Sequence, residues 1–115
     1  MIKFTLEGLL AYIQSVSEPV FRCDPENASI NLQILKREQS IIYVIEILFY
    51  EVKVNDIRYF TNCIFRDEGN TLEIAIAQSY LSIIAVTKRT LEKLRYSLST
   101  VYTEEDFNIF FKESE

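Results

Sequence analysis

The sequence predicts an α+β protein with a four-stranded antiparallel sheet followed by one long and one short C-terminal helix. Apolar and polar residues alternate in several segments of residues 3–66, which is the period of a half-buried strand. From Leu72 the apolar spacing becomes helical, and neither proline nor glycine occurs from there to Glu115. Because the chain has 115 residues, we expect one domain, residues 1–115.

The first predicted strand covers residues 3–16. Its main apolar residues share one parity: Phe4, Leu6, Leu10, Tyr12 and Val16. Leu9, Ala11 and Ile13 weaken this alternation and leave a helix as the alternative. Pro19 lacks an N–H donor and disfavours the helical conformation of the preceding residue, so we expect the segment to end before it.

Three further strands are predicted, at residues 29–35, 41–54 and 57–66. In the earliest of them, Ile30, Leu32 and Ile34 alternate with polar residues. The next is rich in β-branched and aromatic side chains, which favour strands. Asn55 and Asp56 tolerate positive φ and predict the tight turn that joins the last two strands of a meander.

Two helices complete the prediction, at residues 71–98 and 104–112. We expect Asn70 to cap the long helix, with Glu73 reaching back to it from three residues later. Thr103 precedes three acidic residues and is expected to begin the short helix by the same logic. These carboxylates are better explained by the helix dipole than by a metal or acid–base site.

The apolar surface exceeds what one small sheet can cover with two helices. Residues 41–54 are apolar on both parities, and the helix from Leu72 to Val86 is apolar nearly all round. We therefore expect a second chain against these surfaces and predict a homo-oligomer, a homotetramer built as a dimer of dimers. The alternative is a compact monomer in which the long strand is central.

The composition disfavours an enzyme. The chain has no histidine and only two glycines, which argues against imidazole chemistry, most zinc sites and glycine-rich phosphate loops. Its net charge of −5 argues against nucleic acid as a partner, because phosphate binding needs clustered cations. Cys63 has no histidine to activate it, and a buried structural thiol explains it better than a nucleophile does. We expect no cofactor and no metal.

The sequence is typical of a cytoplasmic protein. Cys23 and Cys63 are too few for a disulfide framework. The first residues lack the basic and apolar regions of a secretory signal. The most apolar stretch runs from Ile41 to Tyr50, contains Glu46, and is too short to cross a bilayer, so no membrane insertion is expected.

The predicted element order and several segments resemble the SecB family of export chaperones. Asn62-Cys63-Ile64-Phe65 resembles the Ala-Gly-Ile-Phe that ends the fourth strand of that family. The other similar segments are Phe4 to Pro19 with Val20-Phe21, Ser79 to Ser97, and Glu105 to Phe110. The resemblance implies a SecB-like tetramer that binds unfolded clients in protein export or in toxin–antitoxin control. The sheet carboxylates that dock the translocation ATPase in the family correspond here to Ile13, Ser17 and Arg58, so this docking is not expected.

We therefore predict an ATP-independent holdase, which binds unfolded chains in apolar grooves between sheet and helix and catalyses no reaction. The expected groove and interface residues are Tyr43, Ile45, Ile47, Phe49, Tyr59, Phe60, Tyr80, Ile83 and Ile84. The alternative is a dedicated binding protein for one partner, either a toxin-immunity protein or a secretion-effector chaperone. The negative charge of the chain would complement a basic partner of that kind.

Overall fold

The computed structural model describes residues 2–21, 23–49, 52–54, 57–59, 63–94 and 102–114. Helix α1 comes first and is followed by a short 3-10 turn, five strands and two more helices. Their bounds are α1 Leu6–Phe21, the turn Pro25–Asn27, β1 Ala28–Arg37, β2 Ser40–Phe49, β3 Val52–Val54, β4 Ile57–Tyr59, β5 Cys63–Gly69, α2 Leu72–Leu94 and α3 Glu104–Glu113.

The described strands form two separate antiparallel ladders. The main sheet has three strands in the order β1-β2-β5, and β3 and β4 form a two-stranded ladder of their own. Ile47 at the centre of β2 lies between Ile30 of β1 and Phe65 of β5, which fixes the register of the sheet. Since strands pair with only two neighbours, the central position of β2 leaves β1 and β5 as the two edges.

The predicted four-stranded SecB-like sheet is wrong, because the sheet has three strands and the chain begins with a helix. The predicted strand at residues 3–16 is instead the start of α1. Its buried side chains are spaced three, one and three residues apart, which is a helical stripe: Leu9, Tyr12, Ile13 and Val16. Thr5 caps this helix, since its hydroxyl accepts from the N–H of Gly8 at 3.0 Å.

The two long predicted strands are each divided. Residues 41–54 contain β2 and β3, and residues 57–66 contain β4 and the beginning of β5. The β3–β4 ladder is inserted in the chain between β2 and β5. In the main sheet β2 therefore pairs with β5 and not with β3, the next strand in the chain. The predicted Asn55-Asp56 turn lies outside the described residues.

The two C-terminal helices confirm the helical spacing of the sequence. The described part of the long helix runs from Leu72 to Leu94, and residues 95–98 of the prediction lie outside the described residues. Its capping residue is Thr71 rather than the expected Asn70, because the Thr71 hydroxyl accepts from the N–H of Ile74 at 3.2 Å. A reciprocal capping box of Thr103 and Asp106 begins the short helix, as expected.

The core lies between one face of the main sheet and the three helices. We call this side of the sheet the helix face, and it carries Ile45, Ile47 and Phe49 of β2. At one end of the core, Phe21 of α1 stacks on Phe49 with ring centroids 4.0 Å apart. Elsewhere in the core, aromatic rings from the N-terminal segment, α1, α2, α3 and the residue just before the cap of α3 contact one another: Phe4, Tyr12, Tyr80, Tyr102, Phe107 and Phe110.

Candidate protein-binding surface

The core encloses most of the residues that the sequence predicted as a client groove. Ile45, Ile47 and Phe49 from β2 are at most 1% exposed, and Tyr80 and Ile83 from α2 are equally buried. Each of the five belongs to the hydrophobic core formed by the described residues. In this conformation they hold the fold together and present no open groove.

The other predicted groove residues lie nearer the surface or outside the described part. Tyr43 and Ile84 are half-buried and pack against the rim of the core. Phe60 and the side chain of Tyr59 lie outside the described residues. Whether these positions contact a client stays a prediction.

Helix α1 explains where the apolar surplus of the sequence goes. The sequence predicts two helices to cover the sheet. Helix α1 is a third, and it buries Leu9, Tyr12, Ile13 and Val16 in the same core. The opposite face of the sheet also buries an apolar side chain, although the helices pack on the other face. Val44 there is completely buried, and the long side chains of its cross-strand neighbours Gln33 and Glu68 flank it.

Two ion pairs cross this opposite face of the sheet. Arg66 of β5 donates to the carboxylate of Glu46 on β2 at 2.6 Å, and Arg37 of β1 reaches Glu68 of β5 at 3.4 Å. All four side chains keep contact with solvent, so these pairs contribute little to stability. The opposite face is therefore a mixed surface, in which the ion pairs lie among partly exposed apolar side chains such as Ile42, Leu48 and Ile64.

An exposed apolar patch lies at the far end of the β1–β2 hairpin. Ile34 is 63% exposed and Ile41 is 51% exposed, and the register places Ile34 opposite Tyr43 on the helix face. Tyr43 also pairs with Gly69, the last residue of β5, so the hairpin continues beyond the end of β5. We call Ile34, Ile41 and Tyr43 the hairpin patch.

Strand β1 is an edge of the main sheet as far as the structure describes the chain. Within the described residues it pairs with β2 alone. Arg37 and Ser40 close a two-residue turn and therefore form a hydrogen-bonded pair. Because such pairs alternate along an antiparallel ladder, the next residues of β1 that direct N–H and C=O groups to the open side are Lys36, Ile34, Leu32 and Ile30. We call this row of unpaired backbone groups the β1 edge.

Among the described residues, the titratable groups whose pKa is clearly shifted lie in or beside the core and away from the β1 edge. Burial raises the pKa of the Asp67 carboxyl, and a hydrogen bond from Ser82 lowers it by a smaller amount. Burial is also the main reason that the pKa of Tyr12 and that of Tyr80 are raised. Among the described residues, no group of three or more potential metal ligands is present.

The sequence predicts strand β1 but not its position at the edge of the sheet, and it predicts the client groove elsewhere. Ile30, Leu32 and Ile34 alternate with polar residues as in a half-buried strand, but nothing local shows that such a strand lies at an edge. That position depends on which strands pair with β2, which only the fold determines.

None of the described helices is sufficiently long and apolar to cross a membrane. No family model, no curated protein and no solved structure matches this chain.

Proposed function

We propose that this chain is a non-catalytic polypeptide-binding protein that pairs an extended segment of its partner with the β1 edge. The observation that carries the proposal is a ten-residue strand that has a partner on one side only within the described part of the chain and that runs beside the hairpin patch. Strand addition supplies backbone hydrogen bonds to any extended chain, and pockets for alternate side chains add preference for particular sequences.

The apolar side chains of β1 suit this mode of binding. Ile30, Leu32 and Ile34 carry the outward backbone groups and all lie on the helix face, so an added strand would meet apolar side chains along one side. Long apolar edges are normally protected by charge, proline or a covering element. Lys36 and Arg37 supply charge only at the end of the strand, which leaves its centre accessible.

Two forms of this function remain as proposals. As an ATP-independent holdase, the chain would bind many unfolded clients reversibly and slow their aggregation. As a dedicated binding protein, it would hold one partner. Burial of Ile45, Ile47 and Phe49 in the core favours the second form, because a small patch beside a sheet edge offers less promiscuous apolar area than an open groove.

Ile34→Lys tests the proposal, and Ile64→Lys is its matched control. Ile34 and Ile64 are 63% and 62% exposed, so both variants should fold, but Ile64 lies on β5 and faces the side of the sheet that carries the ion pairs. We would measure how much each protein delays the aggregation of reduced insulin B chain, followed by light scattering. The same proteins would be incubated with an array of synthetic peptides long enough to pair with all of β1.

A holdase predicts that the wild type and Ile64→Lys delay aggregation at an equimolar ratio and that Ile34→Lys does not. A dedicated binder predicts no delay, but binding to a narrow group of related peptides that Ile34→Lys abolishes. If Ile34→Lys and Ile64→Lys changed the aggregation delay and the peptide binding equally, binding at the β1 edge would be contradicted. So would a wild-type protein that neither delays aggregation nor binds any peptide.

A further inference from the structure

We propose that the β1 edge also pairs with the β1 edge of a second copy of this chain, in antiparallel orientation about a twofold axis at Leu32. Such pairing would join two three-stranded sheets into one continuous sheet. The inference goes beyond polypeptide binding, because it names a specific occupant for the edge and fixes its direction and register. It is argued from the charges at the two ends of β1, its outward backbone groups and its exposed side chains.

The two ends of β1 carry opposite charge. Asp24 and Glu26 lie just before the strand, Lys36 and Arg37 end it, and all four side chains are exposed. Glu38 follows in the turn, so the first end carries two negative charges and the second a net single positive charge. In an antiparallel pair, the acidic start of each strand meets the basic end of the other at two symmetric places. In a parallel pair, the two acidic starts would lie side by side, and so would the two basic ends, which is unfavourable because like charges repel. The charge pattern therefore selects self-pairing in the antiparallel direction.

A register with Leu32 opposite its own copy uses the edge most completely. It places Ile30 opposite Ile34 and Ala28 opposite Lys36, so residues with outward N–H and C=O groups face one another throughout. Glu26, in the 3-10 turn just before the strand, then comes near both Lys36 and Glu38 at the far end of the second copy's β1, so Glu38 partly offsets its attraction to Lys36. This register also covers Ile34, the most exposed large apolar residue among those described.

Shifting the axis to Ile34 would lose these matches. Lys36 would then lie opposite Leu32, and the start of the strand would extend past the turn of the second copy without a partner. The described part of β5 offers no comparable pattern, since Arg66, Asp67 and Glu68 all lie in its second half and its first residues carry no charge. Opposite charges therefore mark the two ends of β1 but not those of β5.

Self-pairing and partner binding would compete, because one edge cannot hold two strands. In this respect the inference rests on the proposed function, but the formation of the dimer itself does not require a client. A dimer would also bury the apolar centre of β1 until a partner displaces the second copy, which would protect an edge that is otherwise prone to aggregation.

Charge exchange between Glu26 and Lys36 provides the test. Both side chains are exposed and neither makes a side-chain hydrogen bond or ion pair recorded among the described residues, so Glu26→Lys and Lys36→Glu should each leave the fold intact. In either variant alone, like charges meet at both symmetric contacts. In a mixture of the two variants, a heterodimer restores opposite charges at both.

We would measure the concentration dependence of the mass by analytical ultracentrifugation at low and high salt. The wild type is expected to form dimers that weaken with salt. Each variant alone should dimerise about tenfold more weakly or worse, and the mixture should recover the wild-type affinity. Glu113→Lys, a reversal of an exposed charge at the end of α3, is the control and should dimerise like the wild type.

Two outcomes would overturn the inference: a wild-type chain that stays monomeric at its highest soluble concentration, or a mixture that is no more dimeric than the separate variants. Neither outcome depends on a client, so failure of the dimer is distinguishable from failure of the proposed function. If both proposals hold, Glu26→Lys should delay aggregation or bind peptides at least as well as the wild type, because its β1 edge is free more of the time.

Discussion

The hydroxyl of Ser82 donates a hydrogen bond to Oδ1 of Asp67 over 2.8 Å and thereby joins helix α2 to the edge strand β5. The other carboxylate oxygen, Oδ2, is buried and has no hydrogen-bond partner within the part of the chain that the structure describes. Asp67 lies opposite Ile45 on the helix face, so a charged group has been placed beside the apolar core. Burial raises the pKa of this carboxyl, which means that the fold favours its protonated form.

We expect Asp67→Asn to increase the free energy of unfolding at pH 7, since the amide oxygen can still accept from Ser82 and the side chain carries no charge to desolvate. The amide nitrogen would take the buried position of Oδ2 without a partner, which should keep the gain below about 1 kcal/mol. In the wild type, the pKa is higher in the folded than in the unfolded state. Stability should therefore fall as pH rises from the ordinary carboxyl pKa through the raised one, and this component should vanish in the variant. Urea unfolding between pH 3 and 7 measures both effects. Glu68→Gln, at an exposed neighbouring carboxyl, should change the stability at pH 7 much less.

Gly69 should tolerate no side chain, because it lies where β5 turns into α2. A Cβ atom there would approach the backbone nitrogen of Ala75 to 2.5 Å and the side chain of Ile74 to 2.9 Å. We expect Gly69→Ala to destabilise the protein by about 2 kcal/mol or more, because backbone must move. Gly8→Ala is the matched control, since its Cβ would meet only the side-chain oxygens of Tyr80 and Thr5 at 3.0 and 3.1 Å. Thermal unfolding of the pair checks the difference, and equal losses would contradict the explanation.

Glu38 has a φ of 55° in the two-residue turn that joins β1 to β2. A side chain in the left-handed region costs about 1–2 kcal/mol, and glycine removes this strain while adding a smaller entropy cost in the unfolded chain. We expect Glu38→Gly to stabilise the protein by about 0.5–1 kcal/mol in chemical unfolding. Gln39→Gly, at the next position of the same turn, should be destabilising. A loss of stability in Glu38→Gly would show that the turn gains more from the glutamate than the strain costs.

Tyr12 and Thr87 join α1 to α2 through a buried hydrogen bond of 3.3 Å. Thr87 donates its own proton to the carbonyl of Ile84, so Tyr12 is the donor in this pair. We expect Tyr12→Phe to cost about 1 kcal/mol at pH 7. Tyr43→Phe, which removes a half-buried hydroxyl at the hairpin patch, should cost less.

The same tyrosine predicts an alkaline effect. Burial raises the pKa of Tyr12 above its ordinary value of 10.0, so the folded state keeps a proton that the unfolded state loses. Stability should therefore decline as pH rises above about 10, and the decline should be shallower in Tyr12→Phe. Unfolding curves at pH 8 and pH 10.5 measure this; an identical decline in both proteins would contradict it.

Local sequence was sufficient for the C-terminal half of the fold. The helical spacing from Leu72 onward and the capping box of Thr103 and Asp106 both act within a few residues, so the two helices could be predicted without knowing their neighbours. The alternation of Ile30, Leu32 and Ile34 likewise predicted β1. The one-residue error at the start of α2 arose because Asn70 and Thr71 are both good caps.

The N-terminal segment could not be assigned from local pattern, because its apolar residues fit two periods. Phe4, Leu6 and Leu10 suggest alternation, whereas Leu9, Tyr12 and Ile13 form the stripe that is buried. Docking against α2 and the sheet decides in favour of the helix, since that packing buries the second set. The extra helix in turn covers the core that the sequence argument had left open to a partner.

By itself, the sequence determined the α+β class, helices α2 and α3, the strand at β1, and a composition without histidine or glycine-rich loops. Only the tertiary structure decided which apolar residues are buried. Ile34 and Ile45 have the same chemistry and lie on the same face of the sheet, yet one is 63% exposed and the other is fully buried. The physical reason is position in the sheet: Ile45 lies on the central strand within the hydrophobic core, whereas Ile34 lies on an edge strand beyond the end of β5.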